Sequence, residues 1–305
     1  MKKKILFFGA ALFLGILAYI SFQRWSSHFD IKKKILESER RRVAWMVLEG
    51  EIKKESEKFP GEIGILIKDL KTTKQIVVHP DKIFPAASLV KIPIMAACCY
   101  AENEGRISLK EILRLSGSNK YSGSGKLKYA AVGTALTIDK LMELMISESD
   151  NTATNMLIER LGFDYLNACF KRMGLKDSNI CRRMMDFNSR REGKENFTTA
   201  SDLAFILEKI YKNRLINKRY SQLCLGFLKK QKIKDRIPRK LPKETEVAHK
   251  TGLERGVCHD AGIIFTPKGD FLICVLAKHQ NKTAGLAKRF IAQIAFQVYS
   301  NAQSF

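Results

Sequence analysis

The chain opens on an apolar block, Ile5 to Phe22, broken only by glycines and one serine and preceded by Lys2, Lys3 and Lys4. About eighteen residues is near the lower limit for crossing a bilayer. The block reads as a cleaved signal peptide or an uncleaved anchor, and the poor cleavage site at Gln23-Arg24-Trp25 favours the anchor. The leading lysines favour an inside N-terminus and place the rest outside the cytoplasm, although Lys32 to Lys34 and Arg40 to Arg42 make the far flank basic as well. A charged, helix-compatible stretch follows and ends near Phe59-Pro60-Gly61. The expected organisation is a signal-anchor or signal peptide at 1–22, a basic stalk at 23–54 and a folded domain at 55–302.

Beyond the stalk the hydrophobic period changes several times. Gly64 to Ile67 and Gln75 to Val78 read as strands around a turn at Asp69 to Lys74. An apolar helix runs from about Ser88 to Tyr100, with Pro93 tolerated because it lies near the start. Residues 105–136 are mostly loop, including a flexible Gly/Ser stretch at Tyr121 to Gly125. Thr137 caps a helix that ends at Ser149-Asp150-Asn151, and Thr152 to Leu161 forms the next, ended by Gly162. Periodicity is lost from Asp177 to Thr199, a loop long enough to suggest function. Helices follow at Asp202 to Leu215 and around Ser221 to Lys230, the latter inside a basic segment. Strands return at Glu246 to Lys250, Val257 to Phe265 and Phe271 to Ala277, and Ala284 to Tyr299 is an amphipathic closing helix. With strands at both ends and helices between, the expected fold is α+β: one antiparallel sheet built from both chain ends and flanked by helices, plus an all-helical lobe.

Composition narrows the function less than it narrows the fold. The chain has 305 residues, 45% hydrophobic and 28% charged, which is ordinary for a globular protein. A net charge of +23 points to anionic surroundings or to solvated lysine-rich surfaces. The basic residues lack the aromatic interleaving or zinc spacing of a nucleic-acid module, so no nucleic-acid partner is expected. Seven cysteines, with no Cys-x-x-Cys, exclude a disulfide framework or zinc ribbon. His249, Cys258 and His259 lack a recognised ligand spacing, so neither a metal nor a cofactor is expected.

Chemistry enters with Ser88-Leu89-Val90-Lys91. Residues three apart share a helix face, and a serine becomes nucleophilic when an adjacent base takes its proton. A lysine can be that base once burial or a second cation lowers its pKa. A helix start adds free N–H groups and dipole to favour an oxyanion. Ser-x-x-Lys alone is weak, but Ser149-Asp150-Asn151 and Lys250-Thr251-Gly252 follow in order.

This ordered triple resembles the penicillin-recognising serine enzymes, specifically class A β-lactamases and their relatives. The likeness extends over roughly residues 55–302 and includes Ile146 to Asn155 and Asp260 to Ile263. It implies a β-lactamase/transpeptidase-like fold with the motifs in the cleft between sheet and lobe. It also implies Ser88 as acylated nucleophile, Lys91 as its base or relay, and Ser149 as the proton path to the leaving nitrogen. By the same resemblance Asn151 holds the substrate amide, Lys250, Thr251 and Gly252 bind its carboxylate end, and the N–H groups of Ser88 and Leu253 form the oxyanion hole. The family's deacylating glutamate falls on Met184, its loop asparagine on Asn188, its loop arginine on Arg182 and that arginine's aspartate partner on Phe197. Asp186 is the nearest carboxylate, displaced by two residues. The expectation is an acyl-serine hydrolase on β-lactam or cell-wall peptide substrates with slow deacylation. A peptidoglycan D,D-peptidase or transpeptidase, and a sensor that is acylated once, are the alternatives.

Overall fold

The computed structural model describes residues 2–280 and 283–303, without the side chains of residues 2–18, 20, 26, 27 and 29. Most side chains of the apolar block Ile5–Phe22 therefore lie outside the description, and the anchor expected there is not tested by their packing. Among those described, no helix is long and apolar enough to cross a membrane.

Helix α1 (Lys2–Glu57) is continuous, and Phe59-Pro60-Gly61 ends it as expected. The chain then forms β1 (Gly61–Asp69), β2 (Gln75–Val78) and the short β3 (Phe84–Pro85) before α2 (Lys91–Asn103). The middle of the chain holds β4 (Ile112–Arg114), β5 (Ala135–Thr137), α3 (Ile138–Ser147), α4 (Asn151–Leu161), α5 (Phe163–Met173), α6 (Phe187–Arg191) and β6 (Phe197–Thr198). It continues through α7 (Ala200–Tyr211) and α8 (Lys218–Lys229). Strands β7 (Val247–Glu254), β8 (Val257–Ile264) and β9 (Phe271–His279) and helix α9 (Gly285–Gln303) complete it. The five long strands form an antiparallel sheet in the order β2-β1-β9-β8-β7, which joins the two chain ends as the α+β reading expected. Sequence periodicity did not reveal α5, α6 or the small pairs β3–β6 and β4–β5.

Alternation along the strands assigns two faces. Ile63, Ile65 and Ile67 of β1 and Ile273, Val275 and Ala277 of β9 face the terminal helices, where Ile291, Ile294 and Val298 of α9 cover them. Leu66, Leu272, Cys274 and Leu276 point the other way, into the core shared with the helical lobe. Helix α2 runs through that core and is buried on nearly every side. Its position explains its uniform apolarity, since a helix surrounded by protein has no polar face to present. Cys98 and Cys99 are buried there as free thiols.

The expected boundary between stalk and domain, at residues 54/55, falls inside α1. Burial begins earlier: Trp45, Leu48 and Ile52 pack under α9 and the sheet, and Asn301 donates to the Ala44 carbonyl at 2.7 Å. Arg41 reaches the buried Asp69 at 2.6 Å. Despite burial, hydrogen bonds from Thr72 and Arg41 and the N–H groups of the β1–β2 turn hold that carboxyl below its usual range. Leu48→Ala should therefore cost about 2–5 kcal/mol in denaturant unfolding, as a core truncation does, and a chain starting at residue 55 should be less stable still.

Candidate active site

The turn that carries Ser88 is a 3₁₀ segment, Ala87–Val90, which delivers the chain into α2. Ala87 adopts φ 45°, a left-handed conformation that costs an L-residue about 1–2 kcal/mol. Such strain persists where surroundings enforce it, and here they do so from two sides. From the long loop, the Asn196 carbonyl accepts the Ala86 N–H at 2.7 Å. From the sheet, His259 Nε2 donates to the Pro85 carbonyl at 2.9 Å while its Nδ1 accepts the Ala277 N–H at 3.1 Å. Burial pushes His259 down to about 4, which keeps this tautomer neutral. Gly252 brings β7 against the same turn, and a Cβ there would lie 3.2 Å from the Leu89 side chain.

Lys91, Ser149 and Lys250 meet at one hydroxyl. Lys91 Nζ lies 3.2 Å and Lys250 Nζ 2.9 Å from Ser149 Oγ. Lys91 also donates to the Ser149 carbonyl at 2.7 Å and to Asn151 Oδ1 at 2.8 Å, and Lys250 donates to the Thr251 carbonyl at 2.8 Å. Both lysines are fully buried. Ser88 lies one helical turn before Lys91, and its hydroxyl has no hydrogen-bond partner among the described residues. Ser149, like Ala87, has a left-handed backbone (φ 56°), so strain sits on both serine-bearing turns.

Desolvation drives the electrostatics. Burial lowers Lys91 to about 7, opposed by the charge of Asp150. Burial and then the charge of Lys91 take Lys250 well below a normal lysine, with Asp260 opposing. Asp150 does not pair directly with either ammonium. Its carboxylate caps α4 through the Ala153 N–H at 2.9 Å and accepts the Leu127 N–H at 2.8 Å. A neutral Lys91 carries a lone pair that can take a proton, as a general base requires.

The stretch Tyr121 to Gly125 is tied down, in contrast to the flexible segment its composition suggests. Asn151 donates from Nδ2 to the Ser122 carbonyl at 3.0 Å and from its N–H to the Ser124 carbonyl at 3.1 Å. Both ends of the Asn151 amide are thus engaged. Gly125 (φ 98°) sits where a Cβ would be 2.1 Å from the Asp150 carboxylate, so glycine is needed.

The long loop differs most from expectation. Met184 is buried, and Asn155 clamps its backbone at 2.8 and 3.0 Å. Asp186 caps α6 by accepting the Ser189 N–H at 3.0 Å and hydroxyl at 2.7 Å, which holds its carboxyl below the usual range. Asn188 lies on α6, and its Oδ1 accepts a hydrogen bond from Arg191. Arg182 does have carboxylate partners: Glu195 at 2.7 Å and Glu254 at 3.2 Å, and Arg190 bridges the same two at 2.9 and 3.0 Å. Sequence reasoning missed Asn155, Glu195 and Glu254. Glu254 lies two residues after the Lys-Thr-Gly motif and Glu195 precedes Asn196, but charge alone did not single either out. Leu253, between Gly252 and Glu254 on the edge strand, is half exposed. No metal-ligating cluster exists among the described residues. His249 and Asp260 instead pair at 2.9 Å.

A family model described as "Beta-lactamase enzyme family" matches residues 47–302. β-Lactamase VEB-1 of Pseudomonas aeruginosa is 26% identical over 251 residues, 76% of this chain and 83% of that protein. Among solved structures, a β-lactamase from Sphaerobacter thermophilus superposes with a TM-score of 0.77 at 29% identity, covering 86% of this chain and 98% of that one. PBP-A superposes at 0.78 with 30% identity, covering 85% and 96%, and a PBP-A mutant has been solved as an acyl-enzyme complex with penicillin G.

The depressed lysine is directly measurable. One ¹³Cε-lysine NMR resonance should titrate at about 7 and vanish in Lys91→Met. Unfolding restores the ordinary value of 10.5, so between about 7 and 10.5 the unfolded chain binds more protons. Stability should therefore rise with pH across that window, and the slope should shrink in Lys91→Met.

Proposed function

Because the chain belongs to the beta-lactamase enzyme family, we propose that it attacks β-lactam or related amide carbonyls through Ser88, within a site that acylates readily and deacylates slowly. It is a class A β-lactamase-like serine hydrolase. The observation that carries the residue assignment is the convergence of Lys91 and Lys250 on Ser149, with Ser88 one helical turn before Lys91. In the proposed mechanism neutral Lys91 takes the Ser88 proton, directly or through Ser149, as Ser88 Oγ bonds to the carbonyl carbon. The N–H groups of Ser88 and Leu253 bind the oxyanion, and Ser149 returns the proton to the leaving nitrogen as the amide bond breaks. Lys250, Thr251 and Gly252 bind the substrate's carboxylate end. Asn151 must give up the Ser122 carbonyl or Lys91 to hold the substrate amide.

Slow deacylation follows from the loop. Hydrolysis of the acyl-enzyme needs a base for water, and Met184 has no basic group. Asp186 is committed to capping α6. A mutant of the similar protein PBP-A has been solved as an acyl-enzyme complex with penicillin G, which supports the acylation step of this reading. A D,D-peptidase or transpeptidase acting on cell-wall peptides remains the second reading, favoured by the 30% identity to PBP-A. The proposed setting is extracytoplasmic, with Ile5–Phe22 as a membrane anchor and residues up to about 40 as a stalk.

Penicillin should leave a stoichiometric adduct on Ser88 by mass spectrometry, absent in Ser88→Ala. A chromogenic cephalosporin should give a burst and then slow turnover; fast steady turnover would contradict the weak-deacylation reading. The acylation rate should climb with pH up to about 7 and then level off, as Lys91 loses its proton. Supplying the missing base with Met184→Glu should raise turnover roughly 10²-fold, the low end of general-base catalysis. An unchanged rate would place the deacylation position elsewhere in the loop.

A further inference from the structure

Helix α2 carries Lys91 at its head and Cys99 about two turns further on, and the proposed chemistry uses no cysteine. Cys99 Sγ lies 3.6 Å from Cys224 Sγ, which comes from α8, 125 residues along the chain. Both side chains are fully buried. Bonded sulfurs stand about 2.05 Å apart, so these two need to close by about 1.5 Å, which rotations about the Cα–Cβ bonds supply. Three other thiols have different partners. Cys169 accepts from the Arg172 guanidinium at 2.9 Å, Cys258 accepts from Arg236 Nε at 3.2 Å, and Cys181 donates to the Glu195 carbonyl at 3.1 Å.

The pair also joins two segments that the lysine cluster needs in register. Cys99 lies on the helix that begins with Lys91. Cys224 lies on α8, and the residues that follow α8 hold the end of α3. Gln231 Nε2 donates to the Ile146 carbonyl at 2.7 Å, and the Lys232 N–H donates to the Ser147 carbonyl at 2.9 Å. Ser147 is two residues before Ser149. A bond between the sulfurs therefore ties the helix of Lys91 to the segment that leads into Ser149.

We propose that Cys99 and Cys224 form a disulfide when the chain folds in an oxidising compartment, a single cross-link between α2 and α8. The compartment rests on the extracytoplasmic setting proposed above, whereas the pairing does not depend on acylation. The oxidant is the disulfide of a thiol–disulfide exchange donor. One cysteine thiolate attacks a donor sulfur, forms a mixed disulfide and releases one donor thiol. The second thiolate attacks the mixed disulfide at the protein sulfur and releases the other. Two S–H bonds are lost, one S–S bond is gained, and the donor leaves with both electrons and both protons. The hydrogen bond with Cys99 and burial push Cys224 well above the ordinary thiol range. The folded chain thus offers a donor neither access nor thiolate, so the exchange precedes the packing of α8 on α2, and the same burial protects the finished bridge.

The experiment refolds the reduced full chain from denaturant in a mixture of oxidised and reduced glutathione, then alkylates the remaining thiols with iodoacetamide in denaturant. Mass spectrometry should find five of the seven cysteines alkylated, and the peptide that bears Cys99 joined to the one that bears Cys224. Cys98 shares the first peptide, so Cys98→Ala should keep the link and Cys99→Ala should lose it. The oxidised form should melt about 5 °C or more above the reduced form, because the bridge closes a long loop in the unfolded chain. Reduced chain that is already folded should acquire the bridge at least about tenfold more slowly than refolding chain. A link formed by refolding but missing from protein recovered from cells would uphold the pairing and refute the proposed setting. Seven alkylated cysteines after refolding, or a link that persists in Cys99→Ala, would overturn the inference.

Discussion

Two buried lysines that share one serine hydroxyl, with no carboxylate in contact with either ammonium, form the constraint on which this molecule depends. An ion pair would have been the ordinary way to bury such groups. Here the partners are carbonyls, an amide oxygen and the hydroxyl itself, so the cost of desolvation falls on the charge. Lys91 responds by approaching neutrality at physiological pH, and Lys250 is pressed further by its neighbour. Asp150 and Asp260 act only from a distance. A carboxylate in contact would favour the charged ammonium and undo the depression.

The fold exists around that arrangement in a specific sense. Lys91 opens a helix buried on nearly all sides, so its side chain cannot snorkel to water. Lys250 sits on β7, where the neighbouring strand and the Ser88 turn enclose it. Left-handed Ala87 and Ser149 aim the two serine-bearing turns at the same space, and the hydrogen bonds from Asn196 and His259 keep the first turn from relaxing. His259 matters because it joins the Ser88 turn to the central strands through a backbone carbonyl.

Much of this was legible in the sequence, for identifiable reasons. Alternating and 3.6-period patterns located the five long strands and most helices, because each buries one face against a continuous core. The three motifs were legible because their chemistry demands particular residue types at fixed spacing. The short pairs β3–β6 and β4–β5 were not, since two or three residues carry no period. The start of the packed domain was misjudged because Trp45, Leu48 and Ile52 sit within a strongly charged stretch, and the surface they pack on comes from the sheet and from α9, far along the chain. The arginine partners were hidden for a similar reason. Glu195 and Glu254 come from opposite sides of the site, and their pairing is visible only once the loop is folded against β7.

That pairing bears on what the loop can do. Arg182 and Arg190 are each bound by both Glu195 and Glu254, a closed set of four charges with Arg182 only 3% exposed. The set fastens the loop to the strand that bears Leu253, immediately beside the proposed oxyanion site. It also consumes carboxylates. Glu195 is held by two guanidinium groups, Glu192 pairs with Lys194, and Asp186 caps a helix. Each is already engaged by an ion pair or by hydrogen bonds. A loop fastened by Asp186, Glu192 and Glu195 has committed these acids to its own structure, so the rigidity of the site and the slow second step proposed for it share one cause.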